Sequence, residues 1–435
     1  MITINVDNSF SKITGLGPDD FKKLRKLLSY TDSPSVAYYT GGFARTKYCI
    51  DAKGNFATGL LGRAIGFCRD EALDFRQISA NKIPANKVNH KHVFNFSPYQ
   101  SQLDAVNAAD LFDRGSMVLP TGSGKSLVMA MLIALKQVRT LVVVPNLELK
   151  RQLTVTFKQI FKDMSNITVE NIDSTALKTA KNYDMLIIDE SHHAAAGTYR
   201  ELNKTAWNGI YYRYFMTATP FRNQDEEALL LEGIIGDIIY ELTYQEAVKA
   251  KYIVPVEAYY VPVAKQKVNG HTWKQVYSEL VVNNEARNDQ IAVLMLRLQK
   301  AKYSTLCLVK EVAHGQKLAD LTNLPFVHGQ DDESRAYIEM FNKGQIPVLI
   351  GTEGVLGEGI DSKPCEFVLI TGLGKAKSSF QQKVGRAVRT YGNKETAKVV
   401  IFFDPSHKWT KAHYKEQCKI LLEEYCVTPA LLEIE

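Results

Sequence analysis

Cysteine is sparse in this chain of 435 residues, which holds six: Cys49, Cys68, Cys307, Cys365, Cys418 and Cys426. No two form a C-x-x-C pair and no His/Cys spacing suits zinc, so a structural zinc site, a dithiol redox motif and a disulfide framework are all excluded. Long apolar runs are lacking as well. The longest, around residues 127–135, falls well short of the about 20 residues that a membrane-spanning helix requires. The opening MITINVDNSF has no basic stretch ahead of an apolar one, as a secretory leader would. Internal repeats and low-complexity tracts are absent. These absences lead to the expectation of a soluble, cytoplasmic protein with no membrane partner, divided by its length into two to four domains.

What is present is concentrated in short motifs. Residues 119–126 read LPTGSGKS, flanked by the strand-like GSMVL and the helix-like LVMAMLIAL. Glycine therefore falls where a strand turns sharply into a helix N-terminus, and backbone N–H groups there can cradle phosphates. Thr121, Gly122, Ser123 and Gly124 form the cradle, Lys125 reaches the β and γ oxygens, and the Ser126 hydroxyl ligates Mg2+. Position 119 departs from the general pattern, having Leu where the first Gly would fall.

A second signal comes from MLIIDESHH, in which the apolar run 185–188 reads as a buried strand. Asp189 and Glu190 would then emerge at its carboxyl end, where open α/β sheets bind ligands. Asp189 is placed to hold the metal and Glu190 to polarise the attacking water. An acidic pair alone would read as a solvated loop; beside a phosphate loop it defines an NTPase. His192 and His193 lie far from any cysteine and read as coupling or packing residues.

Residues 380–389, FQQKVGRAVR, hold Gln382, Arg386 and Arg389 in a Q-x-x-G-R-x-x-R arrangement. Arginines three apart share one helix face and can meet one phosphate group. A guanidinium at the γ-phosphate is worth roughly a thousandfold in rate, about 4 kcal/mol. The alternative is a basic surface helix.

Taken in order, these motifs resemble those of helicase superfamily 2, and the resemblance covers nearly everything after about residue 95. FSPYQ, with Gln100, looks like the adenine-reading motif, with Ser97 where Arg is usual. LPTGSGKS and DESH correspond to motifs I and II, and MTATPFR, residues 216–222, to motif III, with Thr217 and Thr219 as coupling residues alongside His192. VVVPNLELKRQ, residues 142–152, resembles motif Ia, and Ser174 with Thr175 motif Ib. IGTEGVLGEGID, residues 350–361, resembles motif V and QQKVGRAVR motif VI. TATPFR and the E-G-I-D form of motif V look most like the UvsW-type branch-migration helicases of bacteriophages and their RecG and XPB relatives.

The resemblance implies an α/β fold of two RecA-like parallel-sheet motor domains in tandem behind a small N-terminal α+β domain. The expected boundaries are residues 1–88, 89–248 and 249–435. Within the motors, strands are expected at 116–119, 141–144, 185–188 and 214–217, then at 305–309, 348–351, 367–371 and 399–403. Residues 77–91 read as a linker and 241–255 as the crossing between motors, with no large accessory domain after motif VI. Residues 1–90 hold 13 Lys and Arg against 8 Asp and Glu, +5 of the chain's net +6, which makes this module a candidate nucleic-acid contact. Its helix 19–28 carries Lys22, Lys23, Arg25 and Lys26 opposite an apolar stripe, a pattern equally consistent with a solvated face.

The activity implied is an ATP- and Mg2+-dependent DNA helicase or translocase working 3′ to 5′ on branched DNA. Such work belongs to DNA recombination, repair and replication, in the host cytoplasm if a bacteriophage encodes the chain. Gln100, the phosphate loop, Gly359 and Asp361 would bind ATP, Asn146, Thr175 and Thr352 the strand, and a monomer is expected. An RNA helicase, a duplex translocase that separates no strands, and a nucleotide-gated binding module without catalysis remain alternatives at this stage.

Overall fold

The computed structural model describes all residues except 32–45, 82, 85–86, 180–181, 190–195, 219–225, 330–332, 357–364, 375 and 435. The chain forms two compact units, Met1–Leu119 with Gly124–Leu242, and Pro120–Ser123 with Thr243–Glu435.

The first unit opens with an α+β module. Strands β1 (Ile2–Val6), β2 (Phe10–Thr14), β5 (Asn55–Ala57) and β6 (Phe75–Ser79) form one sheet, while β3 (Ser29–Thr31) and β4 (Thr46–Tyr48) make a separate ribbon. Helices α1 (Pro18–Leu27) and α2 (Leu61–Asp70) complete the module. Residues 77–79, expected in a linker, are paired strand: β6 runs parallel to β1 in the register Ile2↔Phe75 to Val6↔Ser79. Backbone pairing holds them although their side chains are exposed, and that exposure is why they read as linker. On the basic face of α1, Lys23 pairs with Glu71, and the Arg25 guanidinium lies 4.1 Å from the centre of the Tyr48 ring. Two of the four cations are thus already engaged within the module.

After α3 (Gln100–Leu111), strands and helices alternate: β7 (Arg114–Val118), α4 (Lys125–Lys136), β8 (Thr140–Val144), α5 (Leu147–Ile160), β9 (Ile167–Asn171), β10 (Met185–Asp189), α6 (Ala196–Lys204), β11 (Tyr212–Thr217), α7 (Glu226–Ile235) and β12 (Ile238–Glu241). The sheet order is β12-β7-β11-β10-β8-β9, with every pairing parallel. The central strands β8 and β10 are buried along their whole length, which is why they read as continuous apolar runs.

The N-terminal module and this sheet share a core. Leu229 and Leu230 of α7 belong to the hydrophobic cluster built on Ile4, Phe56 and Leu60. Gly59 lies so close to α7 that a Cβ there would come within 1.9 Å of the Glu232 carbonyl oxygen. Arg213, fully buried at the start of β11, donates from Nη2 to Ser9 Oγ and to the Trp207 carbonyl, 2.6 Å each. Burial, followed by repulsion from Arg114, holds its guanidinium well below its ordinary pKa. Arg63 of α2 grips Glu232 of α7 with two hydrogen bonds.

The second unit repeats the alternation with β13 (Val256–Pro262), β14 (Thr305–Val309), β15 (Phe326–Val327), β16 (Val348–Thr352), β17 (Phe367–Ile370), β18 (Ala397–Phe403) and β19 (Ala430–Leu431). The order is β15-β16-β14-β17-β18-β13-β19, again all parallel. Its helices are α8 (Tyr244–Lys249), α9 (Trp273–Tyr277), α10 (Glu285–Lys300), α11 (Val312–Thr322), α12 (Ser334–Asn342), α13 (Glu353–Leu356), α14 (Lys377–Ala387) and α15 (Lys408–Tyr425). Part of the expected crossing is therefore helical, because Thr243 and Glu246 form a capping box that starts α8. Among the described residues no helix is long and apolar enough to cross a membrane.

The shared core makes the module a structural part of the first unit. Arg63→Ala should strand the Glu232 carboxylate, which is 8% exposed, and cost about 3 kcal/mol. Urea unfolding followed by tryptophan fluorescence measures this; a change under about 0.5 kcal/mol would show that the pair anchors nothing.

Candidate active site

The phosphate-loop segment adopts the turn its composition implies. Leu119 N donates to the Thr217 carbonyl at 2.8 Å, which keeps the chain in the sheet up to Pro120. Ser123 is fully buried and its Oγ donates back to the Pro120 carbonyl at 2.7 Å, closing the loop on itself. Gly122 and Gly124 have φ of +91° and +85°, a region that glycine alone enters without strain. Gly124 is the N-cap of α4, so Lys125 and Ser126 stand in the first turn of a 12-residue helix, at its positive dipole end. Val128, Met129, Leu132 and Ile133 are fully buried and seat one face of that helix.

Parallel register places the acidic motif nearby. Val118 pairs with Thr217, and Met216 with Asp189, so β7, β11 and β10 end side by side. Two strand spacings, about 10 Å, separate the start of the phosphate loop from Asp189. Asp189 is 8% exposed and Thr217 fully buried. Among the described residues no three His, Cys, Asp or Glu side chains converge on a metal position. Mg2+ characteristically takes one or two protein oxygens and completes its octahedron with water and phosphate, and Ser126 with Asp189 fits that donor set. Glu190, His192, Thr219, Gly359 and Asp361 lie outside the described residues.

Other expected residues take definite places. Gln100 is exposed at the start of α3, and its Nε2 donates to Asp104 at 2.8 Å. Gln102, two positions on, is 2% exposed; its Oε1 accepts from Tyr99 N, and its Nε2 would lie 2.3 Å from a Cβ at Gly124. It braces the loop that composition alone assigned to glycine. Asn146 caps α5, its Oδ1 accepting from Leu149 N at 2.9 Å. Thr175 is exposed on a 3-10 turn, and Thr352, at the end of β16, is 8% exposed.

In the second unit α14 carries Gln382 and Arg386, with Arg389 just beyond its end. Arg386 is 6% exposed. A helix end leaves carbonyls without partners, and here three successive ones are met. Val254 N donates to the Val388 carbonyl at 2.8 Å, while Lys394 Nζ donates to the carbonyls of Ala387 and Arg389 and to that of Cys365. Lys394 thus fixes the backbone where α14 ends, between Arg386 and Arg389. A lone lysine in the turn YGNKE offers no sequence signal for this role.

Comparison with known proteins follows the same division. Residues 93–181 match the model of the type III restriction enzyme res subunit, and 275–391 match the helicase conserved C-terminal domain. Both matches are in keeping with the resemblance to helicase superfamily 2. An Enterobacteria phage T4 protein named ATP-dependent DNA helicase uvsW is 22% identical over 71% of this chain and 68% of its own. The DNA 3′-5′ translocase XPB2 of Sulfurisphaera tokodaii is 21% identical over 66% of this chain and 77% of its own. Against several other relatives the chain spans about half their length. A fragment ascribed to the HsdR subunit of a Vibrio vulnificus type I restriction enzyme shares the fold, with TM-score 0.59 and 17% identity over 99% of this chain and 85% of that one.

Burial, with a smaller effect from Arg389, lowers the Lys394 ammonium to about 8 from 10.5. Below pH 8 both folded and unfolded chains are protonated and the burial cost is fully present. Between about 8 and 10.5 the folded chain has released a proton that the unfolded chain keeps, so this residue's contribution to stability rises with pH. Lys394→Met should flatten that rise in thermal melting and slow stimulated ATP turnover by about tenfold, the equivalent of roughly 1.4 kcal/mol. A wild-type pH slope with unchanged turnover would remove Lys394 from the site.

Proposed function

We propose that this chain is a monomeric, ATP-driven motor that unwinds or branch-migrates forked and four-way DNA in the 3′ to 5′ direction, in the cytoplasm. The observation that carries the ATP part is the left-handed turn at Gly124, which delivers Lys125 and Ser126 into the first turn of α4, on the sheet edge where β10, two strands from β7, ends in Asp189. Lys125 neutralises the β and γ oxygens, Glu190 orients and deprotonates the attacking water, and Gln100 reads the adenine. Ser126 and Asp189 would hold Mg2+, whose charge offsets that of the phosphates. Gly359 and Asp361 complete the nucleotide contacts. Arg386, on α14, and Arg389, just past its end, with Gln382 on the same motif, stabilise charge on the transferred phosphoryl group. His192, Thr217 and Thr219 couple turnover to movement along the strand.

Asn146, Thr175 and Thr352 follow three different strand ends and are the proposed backbone contacts, which position a strand without reading its sequence. Support for branched DNA comes from the +5 charge of residues 1–90, on a module whose core is continuous with α7. The named activities of uvsW, a DNA helicase, and XPB2, a DNA 3′-5′ translocase, support DNA as the track and the 3′ to 5′ direction.

ATP turnover in the presence of forked DNA, four-way junctions, plain duplex, single strands and structured RNA tests the reading. Branched DNA should stimulate most; greatest stimulation by RNA would transfer the motor to RNA. Glu190→Gln should bind ATP without turning it over, and Lys125→Ala should weaken both. Arg389→Ala should cut stimulated turnover about a thousandfold while nucleotide-free DNA binding persists. Equal loss of that binding would make the helix a strand contact.

A further inference from the structure

A cavity of about 380 Å³ opens in the second unit, at the carboxyl ends of β14, β16 and β17. Its size lies at the small-ligand end of the usual range, about 300–1,000 Å³. None of the motifs used above accounts for its most specific side chains.

Trp273, on the segment between β13 and α10, forms part of the lining. Its indole meets Tyr277 at 65°, Trp409 at 86° and His413 at 54°, so these rings brace it without any of them lying parallel on its face. Gln417 of α15 lines the same cavity, is 2% exposed, and has its Oε1 buried with no hydrogen-bond partner. A buried acceptor is costly to leave unmatched, so a ligand that brings an N–H there is favoured. Glu353, the residue after Thr352, also lines the cavity and is held by Lys383 at 2.7 Å. Lys310 contributes a further cation, 5.6 Å from the centre of the Tyr277 ring.

These features select a ligand class. A purely apolar molecule would leave Gln417 unmatched, and a carboxylate placed at Gln417 would be repelled by its Oε1. A heterocyclic base meets each requirement, since every base has a π face for Trp273 and an N–H on its edge for Gln417. The phosphate of the same nucleotide suits Lys310. We propose that the cavity receives one unstacked base of the single strand along which the chain moves. This rests on the nucleic-acid reading above and adds to it a contact with a base, beside backbone contacts such as Thr352.

The test uses the full chain and a single-stranded oligothymidylate carrying one 2-aminopurine, moved position by position. Stacking on Trp273 should quench the probe at one position, and Trp273→Leu should abolish the quench while Trp273→Phe restores much of it. An abasic site at that position should weaken wild-type binding about tenfold and leave Trp273→Leu binding unaffected further. Gln417→Leu should weaken binding several-fold without lowering the melting temperature, since it removes an unmatched buried acceptor. Binding with no position-specific quench overturns this proposal alone. Quenching of free 2-aminopurine riboside at the concentrations that saturate the oligonucleotide also overturns it, because the cavity would then serve a free small molecule. Failure to bind any oligonucleotide overturns it together with the reading on which it rests.

Discussion

Parallel strand pairing is the constraint on which the rest of this molecule depends. When every strand of a sheet runs the same way, every carboxyl end emerges along one edge, and whatever follows those ends is gathered there. In the first unit that edge collects the phosphate loop after Val118, Asn146 after β8, Asp189 at the end of β10 and Thr217 at the end of β11. In the second it collects Lys310, Glu353 and Leu373, around the cavity that Trp273 and Gln417 line. Residues far apart in sequence thus become neighbours through backbone geometry alone.

The same constraint explains which strands the sequence alone discloses. Interior strands of a parallel sheet are buried on both faces, so 141–144, 185–188 and 305–309 stood out as apolar runs and match β8, β10 and β14 to within a residue. Edge strands lack that signature. β9, β12 and β19 are short, partly exposed and mixed in composition, and their pairing is a property of the partner strand. β6 illustrates the point most sharply: its exposed residues 77–79 look like linker and are held only by β1.

Site residues divide in a similar way. Those whose chemistry needs a fixed spacing, such as Gly122, Gly124, Lys125 and Ser126, were legible because one turn contains them all. Gln102 and Lys394 were not, because each acts on a partner from outside the motif: Gln102 on the loop around Gly124, Lys394 on the carbonyls that end α14. The contact between the N-terminal module and α7 was hidden for the same reason. Arg213 and Gly59 have no local pattern, yet between them they join residues about two hundred positions apart. Removing the module would uncover Leu229 and Leu230, so its proposed role in DNA binding is better tested through its surface cations than through deletion.

The proposed triphosphate site rests on the turn ending at Gly124. An alanine there must hold φ near +85°, at about 1–2 kcal/mol of strain, with its Cβ displacing Gln102 from the loop. The most direct measurement is equilibrium binding of a fluorescent ATP analogue with Mg2+ to the wild type and to Gly124→Ala, with the melting temperature of each recorded alongside. The account predicts at least a tenfold loss of nucleotide affinity, well beyond any change in stability. Equal affinity in the two proteins, both fully folded, would contradict it and place nucleotide binding elsewhere in the chain.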